Sequence, residues 1–306
     1  MDYERTQKLK YTLKSKLANY LRGTYPIPAM KIQYFIKFHK RLNLNNPCTL
    51  NEKIAWLKAY DLPNNFEKGK AADKSYLPIF LSEKGLGEYS PPIFQIADKP
   101  EDILFDELPN KFVVKLSNGS GHNIIVTDKN SISIEEFYQK LDDIFFVRYG
   151  YNSGERHYLL TPNRLVVEKY VDQLSIDFKI FFINGEAKMY MFQEWDKTNS
   201  SLYVGHEDSF ILFGDPYTGE IWQVDKTLGG KTNRVEGEIV DFPEEWAKML
   251  QVGERLSEPF DLVRIDFYFE NKKLRVGELT FAPGGGVRVF NEFIENKLGK
   301  ELRIHT

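Results

Sequence analysis

Apolar residues recur at helical spacing in the first third of the chain, and in alternating or continuous runs further on. Residues 3–22 carry a helical pattern that stops near Gly23, and Pro26 with Pro28 is expected to break the chain. A second helix is predicted over 30–42 and a third over 50–60. Thr49 or Asn51 is placed to cap the third, and Ile54, Trp56, Leu57 and Tyr60 mark its partly buried face. A short helix follows at 76–84, with Pro78 tolerated in its first turn and Gly85 ending it. Pro91 and Pro92 mark an extended passage. Two apolar runs, 112–114 and 124–126, bracket a polar, glycine-rich stretch and read as a strand–loop–strand unit over 111–128. Ser133 with Glu136 three positions on reads as a capping box opening a helix to about residue 147. A strand begins at 165–167 and runs on to Val171. Asn184-Gly185 between the runs 178–183 and 188–192 is a strong hairpin signal, and 210–225 reads as another hairpin about 216–219. Pro243, Glu244 and Glu245 suit a first helical turn, with Trp246, Met249 and Leu250 on one face. Strands 263–269 and 274–279 pair across 270–273. Helices, then mixed elements, then a strand-rich part argue for the α+β class.

The chain has 306 residues, 42% hydrophobic and 28% charged, enough for one large core or two to three small ones. No apolar run approaches the roughly 20 residues of a membrane span, and the N-terminus lacks the apolar core of a signal peptide. Cys48 is the single cysteine, which excludes an intrachain disulfide and reads as a small buried apolar residue. The cytoplasm is therefore the default compartment. Charge is unevenly spread. Residues 1–41 hold ten Lys and Arg against Asp2 and Glu4, leaving a strongly acidic remainder in a chain of net charge −3. Such a basic leader suits a solvated helical face, or peripheral contact of residues 1–41 with an anionic membrane surface. No further basic stripe appears, so nucleic acid is not an expected partner.

Three stretches carry candidate chemistry. Lys115-Leu116-Ser117-Asn118-Gly119-Ser120-Gly121-His122 places a lysine at the end of a strand and a small, glycine-rich loop after it. Gly119 and Gly121 permit left-handed backbone and close approach, so that loop N–H groups and Lys115 could grip a phosphate. It is neither a Walker loop nor the protein-kinase order of glycine loop and lysine. In the last hairpin, Arg264 and Asp266 on one strand face Glu278 on its partner, and Gly284-Gly285-Gly286 follows. Two carboxylates across adjacent strands make a hard oxygen site suited to Mg²⁺, or a general acid–base pair. The third stretch is Glu168-Lys169-Tyr170-Val171 with Asp177 and Lys179, a strand edge that could meet an adenine edge and a ribose. Each stretch alone is also compatible with an ordinary charged hairpin.

Their order, lysine and glycine loop, then Glu-Lys strand, then Asp…Glu hairpin, resembles the ATP-grasp superfamily from about residue 70 to 290. Asn51-Glu52-Lys53-Ile54-Ala55-Trp56-Leu57, Ala72-Asp73-Lys74 and Gly277-Glu278-Leu279-Thr280-Phe281 with Pro283-Gly284-Gly285 resemble the TupA-like (teichuronopeptide-biosynthesis) family within it. The resemblance implies a basic helical extension over 1–50, a linker subdomain over 51–110, a glycine-loop lobe over 111–170 and a metal-bearing lobe over 171–306. It implies an ATP- and Mg²⁺-dependent carboxylate–amine ligase. Lys74, Lys115, Ser117, Gly119, Ser120, Gly121, Glu168, Lys169, Val171, Asp177 and Lys179 would hold the nucleotide. Asp266, Glu278 and, as a weaker ligand where the superfamily usually has asparagine, Thr280 would hold the metal. Arg264 and Lys115 would brace developing charge, and Gly284, Gly285, Gly286 and Arg288 would meet the substrate. The family context implies a uronic-acid or amino-acid carboxylate on a bacterial surface polysaccharide precursor as acceptor, joined to an amine or amino acid. A glycosyltransferase or a phosphotransferase is the alternative. The first would need an Asp-X-Asp motif, whereas Asp142-Asp143 falls on a predicted helix. Trp195, Tyr203 and Trp222 are candidates for stacking on sugar rings.

Overall fold

In the computed structural model, residues 15–171, 176–195, 209–227, 229 and 232–304 are described. Two antiparallel sheets carry the architecture. Strands β1 (Ile93–Ala97), β2 (Phe112–Leu116), β3 (Asn123–Val126) and β4 (Leu165–Lys169) form a sheet of order β1-β4-β2-β3. Strands β5 (Ile176–Ile183), β6 (Glu186–Trp195), β7 (Ser209–Gly214), β8 (Ile221–Asp225), β9 (Leu262–Glu270) and β10 (Lys273–Thr280) form the order β10-β9-β5-β6-β7-β8. The segment 93–97 lies before residue 111 yet pairs with β4, so it belongs to the glycine-loop sheet.

In β2, Phe112, Val114 and Leu116 are buried while Val113 and Lys115 are half-buried. This period of two commits one face to a core and leaves Lys115 on the other. The buried face meets Phe137 and Leu141 of a helix at Ile134–Phe145. Ser133 caps that helix by accepting from the Glu136 N–H, while the Glu136 carboxylate pairs with Lys140 one turn on. The second core is larger and rich in aromatics. Phe181, Phe182, Tyr190, Phe213 and Phe267 of the six-stranded sheet pack with Met249 and Leu256 of a helix at Trp246–Ser257 and with Ile294 and Leu298 of another at Glu292–Glu301.

The N-terminal part corrects several expectations. Residues 15–24 are helical (α1), and residues 3–14 of the expected helix lie outside the described residues. Pro26 starts a helix rather than breaking the chain. It occupies the first position of α2 (Pro26–Phe38), where the missing N–H has no helical partner to lose. That helix ends at His39, which is left-handed at φ 53°, short of the expected residue 42. Thr49 caps α3 (Leu50–Trp56) in a complete capping box with Glu52, and the helix runs on as a π turn over Leu57–Asp61. Asn51 is instead buried, its amide donating to the Arg288 carbonyl at 2.7 Å and so tying α3 to the chain after the glycine run. Cys48 is exposed, not buried, because it belongs to the turn leading into that cap, where its N–H donates to Glu52. A helix at Phe66–Ala72, strand β1, the turns at 149–159 and the helix at Glu292–Glu301 carried no sequence signal strong enough to predict.

Candidate active site

The hairpin of β9 and β10 sets Asp266 opposite Glu278, next to a bulge between Val276 and Glu278. Arg264, two residues before Asp266, shares its face. Its Nε donates to Asp266 Oδ1 at 2.6 Å and its Nη2 to Oδ2 at 2.8 Å, a two-pronged bond. The same Nη2 donates to the Thr280 hydroxyl at 3.0 Å. Lys179 of β5 reaches Asp266 Oδ2 at 2.8 Å. Burial alone would raise the Asp266 carboxyl; the Arg264 guanidinium and Lys179 ammonium outweigh it and hold the group below the usual carboxylate range. Glu278 faces the Lys74 ammonium at 3.4 Å. The two carboxylates, facing each other across adjacent strands, supply the hard oxygen ligands that Mg²⁺ takes.

The glycine loop is fastened at both ends. Lys74 donates through its backbone to the Ser117 carbonyl at 3.0 Å and through its ammonium to the Gly119 carbonyl at 2.6 Å, linking loop and carboxylate hairpin. Asn118 is buried, and its amide donates to the Tyr158 and Thr161 carbonyls. Ser117 is buried as well. Its hydroxyl accepts from the Arg164 N–H, which corrects its assignment as a nucleotide contact: it holds the loop's base. Gly121 is left-handed at φ 77°, a conformation glycine adopts freely, with open space around it. Gly119 is not left-handed. It serves close packing, since a Cβ there would lie 3.1 Å from Leu116 and 3.2 Å from Tyr149. The His122 ring bonds back to the Ser120 carbonyl and meets Tyr149 edge-on.

A cleft of about 420 Å³ brings together Ser120 of the loop, Arg264, Glu278 and Thr280 of the hairpin, and Gly284 with Gly285. It is also lined by Arg22, Gln33, Lys58, Tyr149 and Glu155, none of which was expected. Gly286 faces away from it, packed on Asn51 and Ala55 of α3. Arg288 is likewise drawn off, 3.7 Å from Asp225 and stacked over Phe213. A larger open depression of about 660 Å³ along the helix at Glu292–Glu301 holds none of the candidate residues.

The remaining candidates follow the strands. Lys115 donates to buried Glu168 at 2.6 Å, and Lys169 to Glu270 at 2.6 Å, a bond from one sheet to the other. Val171 lies just past β4, half-buried. Asp177 is on β5, where its backbone pairs with Gln193; its side chain lies outside the described residues, as do the Trp195 side chain and Tyr203. Trp222 is buried against Phe293 and belongs to the core, not to a sugar platform. Asp142 and Asp143 lie within the helix Ile134–Phe145, as expected.

Two antiparallel sheets meeting over a glycine loop and a carboxylate hairpin define an ATP-grasp fold. The chain matches the model of the TupA-like ATPgrasp family over residues 52–303 and belongs to that family. No curated protein matches it. Among solved structures it is similar to the D-alanine–D-alanine ligase of Bacillus anthracis complexed with ATP, at 15% identity and TM-score 0.41, covering 70% of this chain and 57% of that one. It is similar to the L-amino acid ligase of Bacillus licheniformis at 14% identity and TM-score 0.43, covering 85% and 53%. The ATP-grasp ligase PsnB complexed with minimal precursor gives 10% identity and TM-score 0.43, covering 78% and 61%. The chain thus spans less than two thirds of the length of each of these proteins.

Proposed function

We propose that this chain is an ATP-dependent carboxylate–amine ligase. The observation that carries the reading is the meeting, in one cleft, of Ser120 of the glycine loop, Arg264 and Glu278 of the hairpin and the left-handed Gly284–Gly285 backbone, with Asp266 holding Arg264 from behind. Amide formation by this route passes the γ-phosphoryl group of ATP to a carboxylate and releases phosphate when an amine attacks the acyl carbon. Asp266 and Glu278 would hold Mg²⁺, which when bound neutralises phosphate charge. Phosphoryl transfer of this kind depends mainly on positioning and electrostatics. Lys74 and Lys115 supply ammonium groups beside the loop, and Arg264 a guanidinium held in the cleft by Asp266. Gly121 leaves the loop free of side chain where it would cover the phosphates.

The finer assignment is an acceptor carboxylate on a bacterial surface polysaccharide precursor; membership of the TupA-like family supports it. Peripheral contact with an anionic membrane surface belongs to the same reading. Exposed Leu17, Tyr20, Ile32, Phe35 and Ile36 beside exposed Lys16, Lys31 and Lys37 support it. Among the described residues no helix is long and apolar enough to cross a membrane. The phosphotransferase alternative differs in its product, a phosphorylated acceptor in place of an amide.

Asp266→Asn and Glu278→Gln are each expected to lower Mg·ATP-dependent ADP release by about 100-fold or more while the thermal melt stays cooperative. Full turnover in both variants would contradict the assignment.

A further inference from the structure

The cleft holds a second pair of opposite charges, apart from the carboxylate hairpin. Lys58, on the π turn that extends α3, and Glu155, in the turn after residues 149–153, are both buried and stand 4.0 Å apart. That separation is beyond hydrogen-bond reach. Among the described residues the Lys58 ammonium has no other charged partner of opposite sign. Burial drives Lys58 down and Glu155 up, against the attraction of each for the other and, at Glu155, against a hydrogen bond with Tyr149, so neither keeps the full solvation of an exposed charge. Gly285 stands directly beside the pair: a Cβ there would lie 3.5 Å from Lys58 Nζ and 3.6 Å from Glu155 Oε1. The missing side chain keeps that end of the cleft open. Arg22 lines the same end, held by Asn19 and the Asn152 carbonyl, and adds a second cation.

A ligand of one sign would leave one member of this pair uncompensated in a buried site. A ligand carrying both signs a few bonds apart would satisfy each. We infer that Lys58, Glu155 and Arg22 form the subsite for the amine substrate, and that this substrate is a free amino acid in zwitterionic form. Its carboxylate lies on Lys58 and Arg22 and its ammonium on Glu155. The inference rests on the ligase reading and adds to it the class of amine and the residues that select it.

Full-length protein with Mg²⁺ and a non-hydrolysable ATP analogue would be titrated calorimetrically with each of the common L-amino acids and D-alanine. The tightest binder would then be compared with its methyl ester and with its des-amino acid. The zwitterion is expected to bind at least about tenfold more tightly than either analogue, because each analogue leaves a buried group unpaired. Lys58→Met should abolish discrimination against the ester, and Glu155→Gln discrimination against the des-amino acid, with the nucleotide-induced thermal shift kept in both. Binding of nucleotide but of no amino acid would overturn the inference alone. So would equal affinity for zwitterion and analogues, or full discrimination in both variants. Absence of any nucleotide-induced shift in the wild type would remove the ligase reading and the inference with it.

Discussion

His157 is fully buried, with neither ring nitrogen hydrogen-bonded among the described residues, and it packs against Tyr158 and Phe281. Burial first, then repulsion from Lys58 and Lys68, pushes its pKa from 6.5 down to about 3. Between those values the unfolded chain binds a proton that the folded one refuses. Stability therefore rises with pH from about 3 to 6.5 and is lost on acidification through 6.5. The slope from this one group is up to about 1.4 kcal/mol per pH unit. His157→Phe keeps a ring in the stack and should flatten the pH dependence of denaturant midpoints below 6.5 relative to wild type; an identical slope would contradict a buried neutral imidazole. At this scale the sequence was informative where strand register alone fixes a side chain's direction. Arg264 and Asp266 are two apart on one strand, and Glu278 lies across from them. Lys58, Glu155 and Tyr149 were not legible. Their burial arises when residues 149–159 fold over the end of α3, a contact between distant segments that no local spacing encodes. The family resemblance put Ser117 on the nucleotide, yet a distant backbone N–H at Arg164 claims its hydroxyl.

Among elements, the hairpins were the most legible: Asn184-Gly185 and the polar turn before Lys273 each announce a reversal between apolar runs, and both hairpins form. Strand β1 was missed because its outward Phe94 and Ile96 are apolar while its half-buried Gln95 is polar, so polarity does not follow burial, and its partner β4 lies about seventy residues on. The Pro26 error has a similar cause, since proline both ends and begins helices and only its position in the turn decides. The two N-terminal helices make their own prediction. Their exposed apolar residues alternate with lysines, so the chain should co-sediment with phosphatidylserine-containing vesicles and not with pure phosphatidylcholine ones. Phe35→Glu with Ile36→Glu should abolish that binding, since both side chains are more than half exposed and carry no core. Equal sedimentation with either lipid would contradict the membrane contact.

Over the whole molecule, the α+β class and the order of motifs were readable from the chain, and the pairing of the two sheets was not. Among the described residues, Lys74 links Gly119 to Glu278 and Lys169 bonds across to Glu270, while Arg275 ties β10 to the Glu88 and Ser90 carbonyls just before β1. They place the glycine loop over the carboxylate hairpin, which is the arrangement a clasp on a nucleotide needs. The central claim is that this clasp takes Mg·ATP. The most direct test is the thermal midpoint of the full-length protein with Mg·ATP, with ATP and a chelator, and with Mg·UDP-sugars. A ligand at about 100 times its Kd stabilises by about 2.7 kcal/mol, a shift of a few degrees for a chain of this size. A shift with ATP that disappears with the chelator is the expected result. A shift with a UDP-sugar and none with Mg·ATP would contradict the account and favour a glycosyltransferase.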